Sequence, residues 1–319
     1  MYFFALSERK CIFDTIKMPM PALKSWLLAA RLRTLPLSIS GILMGSGLAA
    51  LEGAFRADIF LWASLVTLGF QILSNFANDY GDGIKGTDNE RRVGPARAMQ
   101  SGLLTAAQLR LGMIVISVIT LCAVIVLIYV AFGSDKLLLS LLFLGLGIAA
   151  MIAAVKYTVG KSAYGYRGLG DVFVFLFFGL IGVGGCYFLF VQDLHWLTFF
   201  PAITIGCMAT IVLHLNNMRD RKEDQSVGKR TLAVVLGKER SVSYHSVLVI
   251  TAIVFWVAYL VFEKLPFYFW ASLLCFIPLL LHWTKVRTID NHQKLDPELK
   301  KVALTTFLLA LLFFGLSML

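Results

Sequence analysis

Nine stretches of this chain are apolar for long enough to cross a lipid bilayer, for which about 20 residues suffice. They run roughly over 34–51, 57–78, 108–132, 136–155, 171–191, 196–217, 243–262, 266–283 and 302–319. Hydrocarbon offers no water to a backbone N–H or C=O, so a spanning segment satisfies itself as a helix or joins a closed barrel. Barrel strands alternate between outward and inward residues, whereas these runs are continuous. An all-α polytopic membrane protein follows, with about nine transmembrane helices. Composition agrees: 58% of residues are hydrophobic and only 15% charged, outside the range of ordinary soluble domains.

A net charge of +10 raises the possibility of a nucleic-acid partner, but the placement of the charges argues for topology instead. With nine spans, the amino terminus and the loops after the second, fourth, sixth and eighth helices share one side. That side holds all but Arg56, Lys136 and Lys264 of the 29 Lys and Arg residues. The positive-inside rule puts it in the cytoplasm. We expect no nucleic-acid partner, a cytoplasmic tail over 1–30 and one transmembrane domain over 31–319. Residues 1–20 lack the long apolar core and cleavage site of a signal peptide. The five cysteines are scattered without a C-x-x-C pair, so neither a zinc site nor a disulfide framework is indicated.

Against this apolar background, two acidic clusters stand at matching places. Asn75-Phe-Ala-Asn78-Asp79-Tyr80-Gly-Asp82 closes the second run, and Asn216-Asn217-Met-Arg219-Asp220-Arg-Lys-Glu-Asp224 closes the sixth. Charged residues at membrane helices are costly to keep and mark functional sites by default. Asn216, Asp220 and Asp224 are spaced by four, so a continuing helix stacks them on one face. Carboxylates so placed repel one another unless a cation lies between them. Hard oxygen ligands select magnesium or calcium, and magnesium commonly takes one or two carboxylates together with substrate phosphates. The expected cofactor is Mg2+, with Asp79, Asp82, Asp220, Asp224, Asn75 and Asn216 as its ligands.

Basic residues follow each cluster: Lys85, Arg91, Arg92 and Arg97 the first; Arg219, Arg221, Lys229 and Arg230 the second. Arg offers phosphate a fork of donors and Lys a point charge. Candidate substrate contacts are Lys85, Arg92, Arg97, Arg219 and Lys229, with Asn75, Asn78 and Asn216; some of the cations serve only as topology signals. The connection after the fourth run carries Tyr157, Lys161, Tyr164, Tyr166 and Arg167 among four glycines. That suits a rigid loop for phosphate and ring contacts, and an interfacial aromatic belt is the alternative. His214 and phenylalanines such as Phe173, Phe175, Phe177 and Phe178 read as packing residues.

Asn75-x-x-Asn-Asp79-Tyr-x-Asp82, Tyr157-x-x-x-Lys161 and Asn216-x-x-x-Asp220-x-x-x-Asp224, in this order, resemble the three signatures of the UbiA superfamily of intramembrane aromatic prenyltransferases. The longer strings NDYGDGIKGTD, YTVGKSAYGYRGLGD and NNMRDRKEDQSVGKRTLAVVLG resemble its 1,4-dihydroxy-2-naphthoate branch, and the likeness runs from about Arg31 to the last helix. Gly86 stands where many members carry a further Asp, with Asp88 as the substitute, and Ser162 stands where a basic residue is common. The resemblance implies nine helices around a cavity open sideways to lipid and capped by cytoplasmic loops. It implies Mg2+-dependent transfer of a polyprenyl group from its diphosphate to 1,4-dihydroxy-2-naphthoate, with loss of CO2 and diphosphate, giving demethylmenaquinone at a bacterial inner membrane. It further implies catalytic roles for Asp79, Asp82, Asp220, Asp224, Tyr157 and Lys161, with Tyr164 near the substrate. Another aromatic acceptor, such as 4-hydroxybenzoate, and a membrane transporter stay open as alternatives.

Overall fold

The computed structural model describes residues 22–87 and 94–319. Its helices are α1 Leu23–Ala30, α2 Leu35–Leu51, α3 Ala57–Ile84, α4 Ala106–Phe132, α5 Leu137–Lys156, α6 Gly170–Val191, α7 Phe199–Arg219, α8 Arg221–Ser226, α9 Leu232–Phe262, α10 Phe276–Thr288 and α11 Asp296–Ser317. Among the described residues, nine helical segments are long and apolar enough to cross a membrane, as the nine apolar runs predict. Several helices outlast their apolar runs. The α3 helix carries on through the first acidic cluster to Ile84, and α11 begins at Asp296. Of the tail expected over 1–30, residues 1–21 lie outside the described residues, and Leu23–Ala30 forms α1.

The inner pair is α2 and α7. Helix α2 packs against α3, α6 and α11, and α7 against α6, α9 and α11. In a membrane, helix association depends on close packing rather than on expelling water, so small residues set the approach. The run Ser-Ile-Ser-Gly-Ile-Leu-Met-Gly-Ser-Gly on α2 supplies them. A Cβ at Gly45 would stand 2.6 Å from the carbonyl oxygen of Val183 on α6, closer than any side chain can come. Pro36 in the first turn of α2 and a Thr105–Gln108 capping box on α4 fix two helix starts.

Between Phe175 and Gly185, α6 winds as a π-helix, a widening that tends to occur at functional sites. Helix α1 lies on α3, with Trp26 against Phe76 at 5.5 Å between ring centres. The arrangement encloses a cavity of about 910 Å³ between α1, α2, α3, α4, α5, α6, α7 and α11. Leu27 and Leu28 of α1 and Leu304 of α11 line it and are themselves exposed, so the cavity reaches the lipid-facing surface between those helices.

Candidate active site

One end of the cavity is polar and the rest is apolar. Asn78 and Asp82 from α3, Arg97 from the following loop, Asn216 and Arg219 from α7, Lys229 and Asp296 line the polar end. Phe70, Val124, Leu127, Phe143, Phe173, Phe177, Phe178 and Ile181 are among the apolar wall. The two acidic clusters therefore meet at one site. A smaller recess at the second cluster is lined by Thr87, Arg97, Asn216, Asp220, Glu223, Asp224 and Lys229.

The first cluster divides between two faces of its helix. Asn78 and Asp82, four apart, share the face that lines the cavity. Asn75 and Asp79, also four apart, share a face rotated from it by about 60°. Asn75 donates to the carbonyl of Ala30 at 2.8 Å and to Thr34 Oγ1 at 3.1 Å, which fastens the chain between α1 and α2. Both Asp79 oxygens accept backbone hydrogen bonds, from Ala98 at 3.0 Å and Met99 at 3.3 Å. Asp79 thereby holds down the loop that presents Arg97.

Asp82 is buried and aimed at the site. Its Oδ1 accepts from the Tyr166 hydroxyl at 2.8 Å, and its Oδ2 lies 3.6 Å from the Arg97 guanidinium. The Tyr166 hydrogen is given to Asp82, so Thr87 Oγ1, 2.6 Å away, donates to Tyr166. Lys85 stands 3.8 Å above the Tyr166 ring and donates to the carbonyl of Thr158 at 2.7 Å. Burial pulls the Lys85 ammonium below the usual lysine range, the Asp82 charge opposes this, and Lys229 adds to it. Where α3 crosses the end of α5 there is no room for a side chain: a Cβ at Gly81 would stand 2.6–2.8 Å from Thr158 atoms. Tyr166 sits in the loop whose residues the sequence singles out, but its role at Asp82 has no spacing signal.

The second cluster keeps its stacked face. The winding loosens at Asp220 (φ −90°, ψ 4°), where α7 gives way to α8, yet Asp220 N–H still reaches Asn216 at 3.0 Å and Asp224 N–H reaches Asp220 at 2.8 Å. Arg219, buried, grips both Asp220 oxygens at 2.7 Å and Asn216 Oδ1 at 2.8 Å, and bonds Asp296 on α11. Asp224 pairs with Lys229 at 3.5 Å through Oδ1, while its buried Oδ2 has no partner among the described residues. Burial is the main cause lifting the Asp224 carboxyl to about 6; Lys229 opposes this, and the Asp220 and Asp82 charges reinforce it. For Lys229, burial disfavours the charge, but Asp82 and Asp224 outweigh it and hold the ammonium above the ordinary lysine range. Glu223 accepts from Gln293 at 3.0 Å, and its buried Oε2 has no partner among the described residues. No spacing rule picks out Glu223, Gln293 or Asp296.

Two carboxylate oxygens beside Asp220 without partners among the described residues fit a hard cation. Among the described residues, no three His, Cys, Asp or Glu side chains are gathered closely enough to cage a metal alone. A cation here needs further oxygens, and magnesium commonly takes them from substrate phosphates and water.

Tyr157 and Tyr164 both line the cavity. Tyr164 stacks on Phe173 at 4.0 Å and donates to the carbonyl of Ala153 at 3.0 Å. Burial first, then the charges of Asp82, Asp171 and Asp224, push the Tyr157 hydroxyl well above its usual range, so it stays a donor. Lys161 is exposed in the same connection and lines neither the cavity nor the recess. Arg92, with Asp88 and Arg91, lies outside the described residues. His214 is a packing residue, 3.2 Å from both Asp171 and the carbonyl of Ser241. Phe173, Phe177 and Phe178 form cavity wall, a role their sequence does not distinguish from core or lipid contact.

The pattern that defines the UbiA prenyltransferase family matches residues 38–312. The chain is 38% identical to the 1,4-dihydroxy-2-naphthoate octaprenyltransferase of Haemophilus influenzae, with 93% of this chain and 96% of that protein covered. It is 38% identical to the enzyme of the same name from Escherichia coli, covering 91% and 94%. A solved structure described as digeranylgeranylglyceryl phosphate synthase superimposes with a TM-score of 0.58 at 14% identity, over 93% of this chain and 98% of that one. That likeness concerns the fold.

Proposed function

The chain belongs to the UbiA prenyltransferase family, and from that membership we propose that it transfers a polyprenyl group from polyprenyl diphosphate to 1,4-dihydroxy-2-naphthoate. The allylic C–O bond breaks and diphosphate leaves. A new C–C bond forms at the ring, the ring carboxyl departs as CO2, and the demethylmenaquinone skeleton remains in its quinol form. One observation carries this reading: a single cavity joins a cluster of carboxylates and cations to a long apolar wall that reaches lipid. A diphosphate with an isoprenoid tail has that same division of chemistry.

We assign Asn78, Asp82, Asn216, Asp220 and Asp224 to holding Mg2+ with the diphosphate. The ion, when bound, supplies positive charge against the charge that develops on the leaving diphosphate. Lys229, Arg97 and Lys85 add fixed positive charge around the same oxygens, and charge-assisted hydrogen bonds of this kind are the stronger ones. Tyr157 donates a hydrogen bond from the side of the aromatic loop. Asp79 and Asn75 act one step back, holding the 97–99 turn and the start of α2. The phenylalanine wall keeps water from an allylic cation, and the opening at Leu27, Leu28 and Leu304 passes the isoprenoid tail to lipid. We place the polar end at the cytoplasmic face of a bacterial inner membrane, on the distribution of Lys and Arg.

The experiment is direct. Membranes carrying the protein are incubated with labelled polyprenyl diphosphate and either 1,4-dihydroxy-2-naphthoate or 4-hydroxybenzoate, and products are identified by mass. The expected product is the decarboxylated prenyl naphthoquinol, lost on chelation of divalent cations and restored by Mg2+. Prenylation of 4-hydroxybenzoate alone would overturn the acceptor assignment.

A further inference from the structure

Arg219 stands between two carboxylates, and only one of them belongs to an acidic cluster visible in the sequence. Its Nε and one terminal nitrogen each bond an Asp220 oxygen at 2.7 Å, and its other terminal nitrogen bonds Asp296 in the first turn of α11. The Arg219 side chain is 1% exposed, that of Asp296 48%. A guanidinium so buried must keep counter-charge and hydrogen bonds on its nitrogens. The two-pronged grip also occupies the Asp220 oxygens that a cation needs, so cation and Arg219 compete for one carboxylate. What Arg219 retains on releasing Asp220 decides how hard that competition is.

The connection between α10 and α11 supplies the answer. Asp296 is fixed by its helix beside the guanidinium. Three residues earlier, Gln293 donates to Glu223 at 3.0 Å, so the same connection also braces α8. From the other flank of this turn, Glu298 is buried against His282 at 2.9 Å and Lys285 at 2.8 Å, which ties the start of α11 to α10.

We propose that Asp296 is a positioning residue for the cation–diphosphate site: as the standing counter-ion of Arg219, it allows Asp220 to exchange the guanidinium for a divalent cation. This rests on the reading that the second acidic cluster holds such a cation together with diphosphate. Without Asp296, Asp220 becomes the one carboxylate that Arg219 bonds among the described residues, and the cation meets a stronger competitor.

The test uses the full chain purified in detergent, with Asp296→Asn and Asp296→Glu variants. Mn2+ binding in the presence of inorganic diphosphate is followed by electron paramagnetic resonance, and thermal midpoints are recorded alongside. Asp296→Asn should weaken Mn2+ binding about tenfold, a coupling of ordinary size between adjacent sites. Asp296→Glu should stay within about twofold of wild type, and Asp296→Asn should add less than about twofold in an Arg219→Gln background, since the effect runs through that side chain. Unchanged Mn2+ affinity in Asp296→Asn, or an equal loss in the Arg219→Gln background, overturns the proposal while leaving the cation reading intact. A wild-type protein that binds no Mn2+ with diphosphate overturns both.

Discussion

Tyr166 donates its hydroxyl hydrogen to Asp82 Oδ1 at 2.8 Å, so the loop between α5 and α6 holds a carboxylate at the mouth of α3. The same ring carries Lys85 at 3.8 Å on its face. Tyr166→Phe removes the hydroxyl and keeps the ring, which isolates the hydrogen bond from the cation–π contact. A hydrogen bond to a charged group contributes about 1.5–3 kcal/mol, so kcat/KM should fall by roughly tenfold to a hundredfold. Steady-state kinetics with wild-type values in Tyr166→Phe would show that the hydroxyl does not position Asp82.

Asp224 separates stability from function. Its carboxyl is buried, one oxygen has no partner among the described residues, and burial lifts it to about 6. Asp224→Asn removes a charge that the protein alone shelters poorly, so the thermal midpoint without ligand should hold or rise. Turnover should nevertheless drop by more than about a hundredfold, in the range found on removing one electrostatic partner of a developing charge. A variant that loses stability and activity together would point to a structural role.

The same group sets a pH dependence whose sign is fixed. Above pH 6 Asp224 is charged and open to a cation; below it, a proton occupies the carboxylate and the two compete. The Mg2+ concentration for half-maximal turnover should therefore rise as pH falls from 7.5 through 6 to 5, by up to about tenfold per unit at the acid end. Mg2+ titrations at the three pH values check this, and a constant requirement would remove Asp224 from the ligand set.

The helices and the two acidic regions are legible in the sequence because each depends on one strong term. Hydrocarbon forbids unsatisfied backbone, and carboxylates at apolar runs have no place there without a purpose. Which side chain faces the cavity is a different matter. Asn75 and Asp79 show the same four-residue spacing as Asn78 and Asp82, yet the first pair turns to Ala30 and the 97–99 turn. Only the packing of α3 against its neighbours decides between two faces about 60° apart. Asp296 and Gln293 are invisible for another reason: they lie 77 and 70 residues beyond Arg219 and Glu223, which they brace, in a stretch with no motif of its own.

Two lysines put that distinction to work. Lys161 fits a sequence signature but is exposed and lines no part of the cavity, whereas Lys229 is buried beside Asp224 at 3.5 Å and faces the Tyr166 ring at 5.3 Å. Lys161→Ala should alter kcat/KM by less than about threefold, as expected for a solvated cation. Lys229→Ala leaves Asp224 without its neutralising partner and should cost about a hundredfold or more, chiefly as a raised KM for the diphosphate substrate. Equal effects of the two substitutions would contradict the arrangement described above.

Donor length gives a test of the apolar wall that leaves the polar end untouched. Ala150 on α5 lines the cavity in the stretch that also carries Phe143 and Leu146. Ala150→Phe places a ring in the space assigned to the isoprenoid, and interiors of native density accommodate added bulk poorly. A two-isoprene diphosphate fills little of the apolar part of the cavity, whereas a tail of eight units has far more carbon to fit beside the new ring. The ratio of kcat/KM for the long donor to that for the short one should thus fall by more than about tenfold, with the short donor within about threefold of wild type. Competition between the two donors in one vesicle preparation, with products separated by mass, measures the ratio directly. An unchanged ratio would mean that the tail leaves the site by a route that does not pass Ala150.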